Sequence, residues 1–226
     1  MALVLSLIFN FIPLITVFIC FCLLIKNFKI LPAFLACLLG MLSVIPISVV
    51  QFFLNKTNLF VNRSLFSILV NDLILTGLVE ETFKMLLLFL IPSKKLELHN
   101  FFSCAILCGL SLACFENMIY FIGGTGQIEF RIFTAMLIHL GCTALSGLFV
   151  YSIKNHKILI SPFIWAVVLH GIYNYFAGFK MNTVFFYFSF AVILAVFAEA
   201  RLFYSKLKVR LLEQESCDLS KEKNLQ

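Results

Sequence analysis

The chain has 226 residues, of which 62% are hydrophobic and only 12% are charged, and its formal net charge is +6. Soluble globular domains carry about 25% charged residues, so this composition excludes a soluble domain and indicates an integral membrane protein. The length leaves room for about seven spans of ~20–25 residues with short loops between them. We therefore predict an all-α fold, a single polytopic membrane bundle of about seven transmembrane helices.

Seven apolar runs follow one another along the chain, separated by short stretches with turn or charge signals. The runs cover about Ala2–Ile25, Ile30–Leu54, Leu65–Ile91, Phe101–Ile122, Arg131–Ile153, Ile158–Phe179 and Val184–Tyr204. Each is long enough to cross a bilayer as a helix. From Ser205 onward the sequence is polar. We expect one transmembrane domain over residues 1–204 and a polar cytoplasmic tail over 205–226.

The Lys and Arg residues between the runs are unevenly distributed, which predicts an orientation. One set of loops and the tail from Arg201 hold most of them, including Lys26, Lys29, Lys94, Lys95, Lys154 and Lys157. The opposite set holds Lys56, Arg63, Arg131 and Lys180. Because cytoplasmic loops are enriched in Lys and Arg, we predict an N-terminus outside and a C-terminus in the cytoplasm.

Four of the apolar runs each contain a short polar cluster. The clusters are Glu80-Glu81-Thr82-Phe83-Lys84, Glu116-Asn117-Met118-Ile119-Tyr120, His139 with Thr143, and His170-Gly171-Ile172-Tyr173-Asn174. A charged side chain in the middle of a transmembrane helix costs about 2.5–3.5 kcal/mol. From the helical rise, Glu80 and His170 lie roughly 16–18 Å from the cytoplasmic end of their helices, and His139 and Glu116 roughly 21–22 Å. This shared depth predicts one intramembrane functional site.

The cluster around Glu80 also has a purely structural interpretation. Lys84 follows the two glutamates by four and three residues, so it can form a buried ion pair that holds the bundle together. Two adjacent carboxylates are more than such a pair needs, and one of them suits the role of a general base that deprotonates water. The two histidines and Asn174 are then candidates to stabilise the oxyanion.

A metal-dependent mechanism stays open as well. Two histidines and one glutamate with an open position are a recognised ligand set for catalytic zinc. The candidate cofactor is therefore Zn²⁺, and its candidate ligands are Glu80, Glu81, Glu116, His139 and His170.

The motifs together resemble a known family. Glu-Glu-x-x-Lys, Glu-Asn-x-x-Tyr, an isolated His preceded by Arg, and His-x-x-x-Asn occur in this order on successive runs, as in the PrsW family of intramembrane proteases. That family is distantly related to the CAAX-processing and bacteriocin-immunity membrane endopeptidases. The similarity covers roughly residues 65–180, which would be the catalytic core, and it implies a bacterial plasma membrane. The first two runs contribute only hydropathy to it.

The resemblance also implies residue roles and partners. The catalytic residues would be Glu80, Glu81, Glu116, His139 and His170, with Lys84, Asn117, Tyr120 and Asn174 in support. PrsW-type proteases are associated with first-site cleavage of membrane-bound anti-sigma factors. We expect a membrane protein or peptide as substrate, the lipid bilayer as surroundings, and no nucleic acid as partner.

Two functions of other classes stay open on the sequence alone. Intramembrane glutamates and histidines also relay protons in transporters and channels, although no inverted repeat is evident in this sequence. The second alternative is a non-catalytic membrane protein with a binding or immunity role.

The uneven Lys and Arg distribution predicts that a tag after Gln226 is inaccessible in intact cells, whereas a tag before Met1 is accessible. Antibody labelling of intact and permeabilised cells measures this, and the permeabilised cells control for tags that are present but hidden. Two protected or two accessible tags would show an even number of spans and contradict the predicted orientation.

Overall fold

The computed structural model describes residues 2–56, 64–92, 96–123 and 128–224, and these residues form helices with no strand among them. The helices are α1 (Ala2–Leu24), α2 (Ile30–Lys56), α3 (Leu65–Asp72), α4 (Val79–Leu88), α5 (Leu98–Ile122), α6 (Ile128–Lys154), α7 (Ser161–Ala177) and α8 (Val184–Asn224). A π-helical segment, Leu73–Leu78, joins α3 directly to α4. The predicted all-α membrane bundle is confirmed. Arg63, Lys94, Lys95 and the side chain of Arg131, which the sequence arguments use, lie outside the described residues.

The helices correspond to the seven predicted spans when α3, the π-helical segment and α4 are counted as one. Within the described ranges, four helices are long and apolar enough to cross a membrane by length and composition, namely Ile30–Lys56, Leu98–Ile122, Phe133–Lys154 and Val184–Gln214, and Ile8–Leu24 is a shorter apolar helix. Most helix ends lie within a few residues of the predicted limits. The exception is α8, which continues as a helix through the polar stretch after Ser205.

The helices α5 and α6 form the centre of the bundle. Helix α5 also packs against α1 and α2, and α6 also packs against α4, α7 and α8. A Cβ atom on Gly109 of α5 would collide with the backbone carbonyl of His139 and lie 2.6 Å from Thr143 Oγ1. Close packing of small residues is a main source of helix association in lipid, so Gly109 brings α5 onto α6 at this level. As a result, the next turns of α5 carry Glu116 towards His139.

Glycines also bring α7 against the π-helical segment. A Cβ on Gly171 would come within 2.6 Å of Leu73 Cα, and a Cβ on Gly77 would collide with the carbonyl oxygen of Val167. Segments of π-helix are rare and occur frequently at functional sites. Because this segment directly precedes the two glutamates of α4, its contact with α7 places His170 beside them.

Candidate active site

Six ionisable side chains from four helices lie together in the interior of the bundle. We call them the buried cluster: Glu80, Glu81 and Lys84 of α4, Glu116 of α5, His139 of α6 and His170 of α7. All are buried except Glu116, whose side chain is 22% exposed. The structure therefore brings together every residue that the sequence analysis proposed as catalytic.

Both carboxylate oxygens of Glu81 are engaged. Lys84 Nζ forms a buried ion pair with Glu81 Oε1, and His170 Nδ1 lies 2.8 Å from the same oxygen. Ser146 Oγ donates a hydrogen bond of 2.9 Å to Glu81 Oε2. A carboxylate held on both oxygens in this way is fixed in position.

Only one of the two carboxylate oxygens of Glu80 has a hydrogen-bond partner among the described residues. Its Oε1 accepts a hydrogen bond of 3.1 Å from Gln51 Nε2. Its Oε2 is buried and has no hydrogen-bond partner within the described part of the chain. This oxygen lies 3.8 Å from His139 Nδ1 and 3.8 Å from His170 Nε2. The two adjacent glutamates therefore differ, and Glu80 has the oxygen that is available for chemistry.

Each histidine has one ring nitrogen within hydrogen-bond distance of a carboxylate, and its other ring nitrogen is directed towards Glu80. His139 Nε2 lies 2.7 Å from Glu116 Oε2, as His170 Nδ1 lies near Glu81. A neutral imidazole that donates to a carboxylate through one nitrogen has a lone pair on the other. Lys84 Nζ, a donor, lies 3.4 Å from His139 Nδ1, which agrees with a lone pair there. The space beside Glu80 Oε2 is thus bordered by three acceptors.

This arrangement fits a divalent metal ion. The candidate ligand atoms of Glu80, His139 and His170 all lie within 4.8 Å of one another. Two ligand atoms of one tetrahedral zinc ion lie roughly 3.3–3.6 Å apart, close to the two separations of 3.8 Å. With ionised carboxylates and neutral histidines, the buried cluster has three negative charges and one positive charge. A divalent cation would neutralise that excess in a medium where unpaired charge is costly.

A second group of candidate ligands, Glu81, Cys142 and His170, has similar spacing. It fits a metal ion less well, because the oxygens of Glu81 are already held by Lys84, His170 and Ser146. We therefore assign any metal to the group with the unpartnered oxygen of Glu80.

A cavity of about 180 Å³ lies beside the buried cluster, between α2 and α5. Its polar wall contains Glu80, Glu116, Gln51 and Tyr120, and the rest is lined by Val44, Ile47, Ser48, Leu112 and Ile119. A larger, apolar cavity of about 360 Å³ between α5, α6 and α8 is lined by none of the six residues. The smaller cavity is the one that gives access to Glu80 and Glu116.

Comparison with known families decides the class of the protein. Residues 30–198 match the model of the PrsW family, described as a family of intramembrane metalloproteases. The chain belongs to the PrsW family. It is therefore an integral membrane protein and an intramembrane protease. Neither a curated protein nor a solved structure matches the chain.

The match also corrects the extent of the resemblance. We expected the similarity to cover residues 65–180 and the first two runs to contribute only hydropathy, but the PrsW match begins at the start of α2 and continues into α8. In the structure α2 also supplies Gln51, which contacts Glu80 directly. Helix α2 therefore lies within the segment that matches the PrsW family.

The residues proposed for supporting roles divide into two groups. Lys84 lies in the buried cluster, and Tyr120 lines the cavity beside Glu116. Asn117 instead faces α1, where its amide nitrogen lies 3.4 Å from Asn10 Oδ1. Asn174 donates a hydrogen bond of 3.2 Å to the backbone carbonyl of His170, one turn earlier in α7. The roles proposed for these four residues stay predictions.

Three residues near the site of this PrsW protein were missed from the sequence. Cys142 and Ser146 follow His139 by three and seven residues, so helical spacing places them on the face of α6 that meets Glu81. Gln51 was missed because it stands alone in an apolar run, and only the neighbouring helix reveals its partner.

Replacing Lys84 by Met should destabilise the protein strongly, because it leaves buried carboxylates without their cation. Breaking a buried pair costs about 3–5 kcal/mol, which lowers the unfolding midpoint of a chain of this size by about 6–20 °C. The midpoint is measured for purified protein in detergent, with Lys206→Met on the exposed face of α8 as control. Equal midpoints for both variants would contradict the structural role of the ion pair.

Proposed function

We propose that this PrsW-family chain is a metal-dependent endopeptidase that hydrolyses a peptide bond of a membrane-associated protein. The observation that supports it is Glu80 Oε2, a buried carboxylate oxygen without a hydrogen-bond partner in the described residues, which faces the lone pairs of two histidines. A buried acceptor left unsatisfied costs about 1–3 kcal/mol or more, so such a group calls for a function.

Glu80, His139 and His170 would hold the metal ion. A zinc ion in such a site acts as a Lewis acid towards a carbonyl oxygen and increases the acidity of water. Glu81 and Glu116 orient the two imidazole rings through their other nitrogens, as carboxylates commonly do for metal-binding histidines. In this assignment the histidines contribute lone pairs, so they do not donate hydrogen bonds to an oxyanion.

Glu116 is the proposed general base. Among the glutamates of the buried cluster it is the most exposed, and it lines the cavity by which water and substrate arrive. Its Oε2 lies 2.7 Å from His139 Nε2, which holds the carboxylate at the wall of the cavity, next to a proposed metal ligand. As the base, Glu116 accepts a proton from water and then donates that proton to the leaving amine, so the carboxylate is regenerated in each cycle. Asn174 is the proposed donor that polarises the scissile carbonyl.

The size of the cavity limits which part of a substrate can enter it. Its volume of about 180 Å³ is close to that of a cavity of about 150 Å³ that holds benzene, so it accepts one side chain and the adjoining peptide bond. A complete helix, about 10–12 Å in diameter, does not fit, so the reacting segment must be locally extended. A membrane-bound anti-sigma factor is the first substrate to test, given the resemblance to proteases of that type. The same proposal places the chain in a bacterial plasma membrane with its C-terminus in the cytoplasm.

Replacing Glu116 by Gln should lower kcat by about 10²–10⁴-fold, because general-base catalysis contributes that much and Gln cannot accept the proton. Cleavage is measured in proteoliposomes with fluorogenic peptides built from the transmembrane segments of candidate anti-sigma factors. Glu199→Gln, on α8 outside the buried cluster, serves as the matched control. Wild-type kcat in the Glu116 variant would contradict the assignment of the base.

Removing metal should abolish cleavage, and added Zn²⁺ should restore it. Metal analysis of the purified protein should find about one zinc ion per chain, and Glu80→Gln should lose it because one ligand oxygen is replaced. Cleavage that persists in chelator, from protein without bound metal, would contradict the metal assignment and make Glu80 the group that activates water directly.

A further inference from the structure

Through a single amide nitrogen, Gln51 links α2 both to α4 and to the π-helical segment that precedes it. Its Nε2 donates one hydrogen bond of 2.9 Å to the backbone carbonyl of Leu75, in the π-helical segment, and another of 3.1 Å to Glu80 Oε1. Both hydrogens of the amide are therefore used on the protein itself. Gln51 is half-buried in the wall of the cavity beside Glu80.

The π-helical segment changes the hydrogen bonding around the Leu75 carbonyl. In an α-helix the N–H of Val79 would bond to the carbonyl four residues earlier, which is that of Leu75. Here the Val79 N–H bonds to the carbonyl of Ile74, five residues earlier, and to that of Thr76. The cap contacts of Val79 therefore do not include the carbonyl of Leu75. A carbonyl that loses its α-helical donor within the bilayer needs a donor from the protein, and Gln51 Nε2 donates a hydrogen bond to the Leu75 carbonyl.

The second hydrogen bond decides which oxygen of Glu80 is available. With Oε1 held by Gln51, Oε2 is turned to the space between the two histidines, where it lies 3.8 Å from one nitrogen of each. Without Gln51, the carboxylate could rotate towards the cavity and water. The orientation of Glu80 thus depends on a residue of α2, 29 positions earlier in the chain.

We propose that Gln51 is a positioning residue for the catalytic centre: it fixes the Glu80 carboxylate against the π-helical segment so that Oε2 points between His139 and His170. This inference rests on the proposed function. Gln51 acts through Glu80 and contributes no group to the reaction itself. Hydrogen bonds to metal-binding carboxylates and histidines typically change metal affinity or activity by about 10–100-fold.

The test uses Gln51→Met, which keeps the length and approximate volume of the side chain and removes both N–H donors. Zinc affinity, measured by competition with a chromophoric chelator, should fall about 10–100-fold. In the cleavage assay kcat should fall by a similar factor while KM changes less than about twofold, because substrate contacts are retained and the geometry of the centre is not. The change in affinity is a readout that does not depend on a substrate being cleaved.

The matched control is Ser111→Ala. Ser111 Oγ donates a hydrogen bond of 2.6 Å to the carbonyl of Cys37, so it too joins α2 to a neighbouring helix, but its bond involves none of the six residues of the buried cluster. If Gln51 only holds helices together, both variants should lower the unfolding midpoint alike and leave the zinc affinity and kcat of the folded protein unchanged, and that result would overturn the proposal. Wild-type zinc affinity and kcat in Gln51→Met would also overturn it.

The two proposals fail in different ways. A wild-type protein that binds zinc through Glu80 but cleaves none of the peptides would contradict the peptidase proposal, whereas the affinity loss in Gln51→Met would still support the positioning role. A wild-type protein that neither binds zinc nor loses cleavage when Glu80 becomes Gln would contradict both.

Discussion

Charged groups inside a bilayer must be neutralised and hydrogen-bonded by the protein itself, and the rest of this structure depends on that constraint. The buried cluster places three carboxylates, one ammonium and two imidazoles among apolar helices. Lys84 neutralises Glu81, each imidazole is held by a carboxylate, and Gln51 binds Glu80. Because these partners come from α2, α4, α5, α6 and α7, moving any one of those helices would leave a buried polar group unsatisfied.

The two adjacent glutamates meet this constraint in different ways, because each has its own set of partners. Successive residues of a helix point about 100° apart, so Glu80 and Glu81 meet different neighbours. Glu81 is completely enclosed, and both of its oxygens are held. Glu80 borders the cavity and keeps one oxygen free of protein partners in the described chain. The ion pair between Lys84 and Glu81 is therefore enclosed, whereas the oxygen without a hydrogen-bond partner in the described residues belongs to Glu80.

Close backbone packing makes the same arrangement possible. Gly109 lets α5 approach α6 at the level of His139, and the contact of Gly171 with Leu73 holds α7 against the π-helical segment. The π-helical segment shifts the hydrogen bonds of the backbone just before Glu80, and the carbonyl of Leu75 within it accepts a hydrogen bond from Gln51 of α2. Local backbone irregularity, helix packing and the direction of the Glu80 carboxylate are in this way parts of one arrangement. Asn117 shows the opposite use of a polar residue, since it contacts Asn10 and fastens α5 to α1.

The sequence by itself determined the class of fold, the seven helical segments and the set of residues that meet in the interior. These properties depend on local composition and on depth, which follows from counting residues along each helix. It could not determine which glutamate has a free oxygen, that Asn117 turns to α1, or that Gln51 joins the site. Those outcomes depend on how each helix is rotated about its axis and on which neighbour it faces. Only the tertiary structure decides them, because a buried polar group takes its role from partners that are distant in sequence.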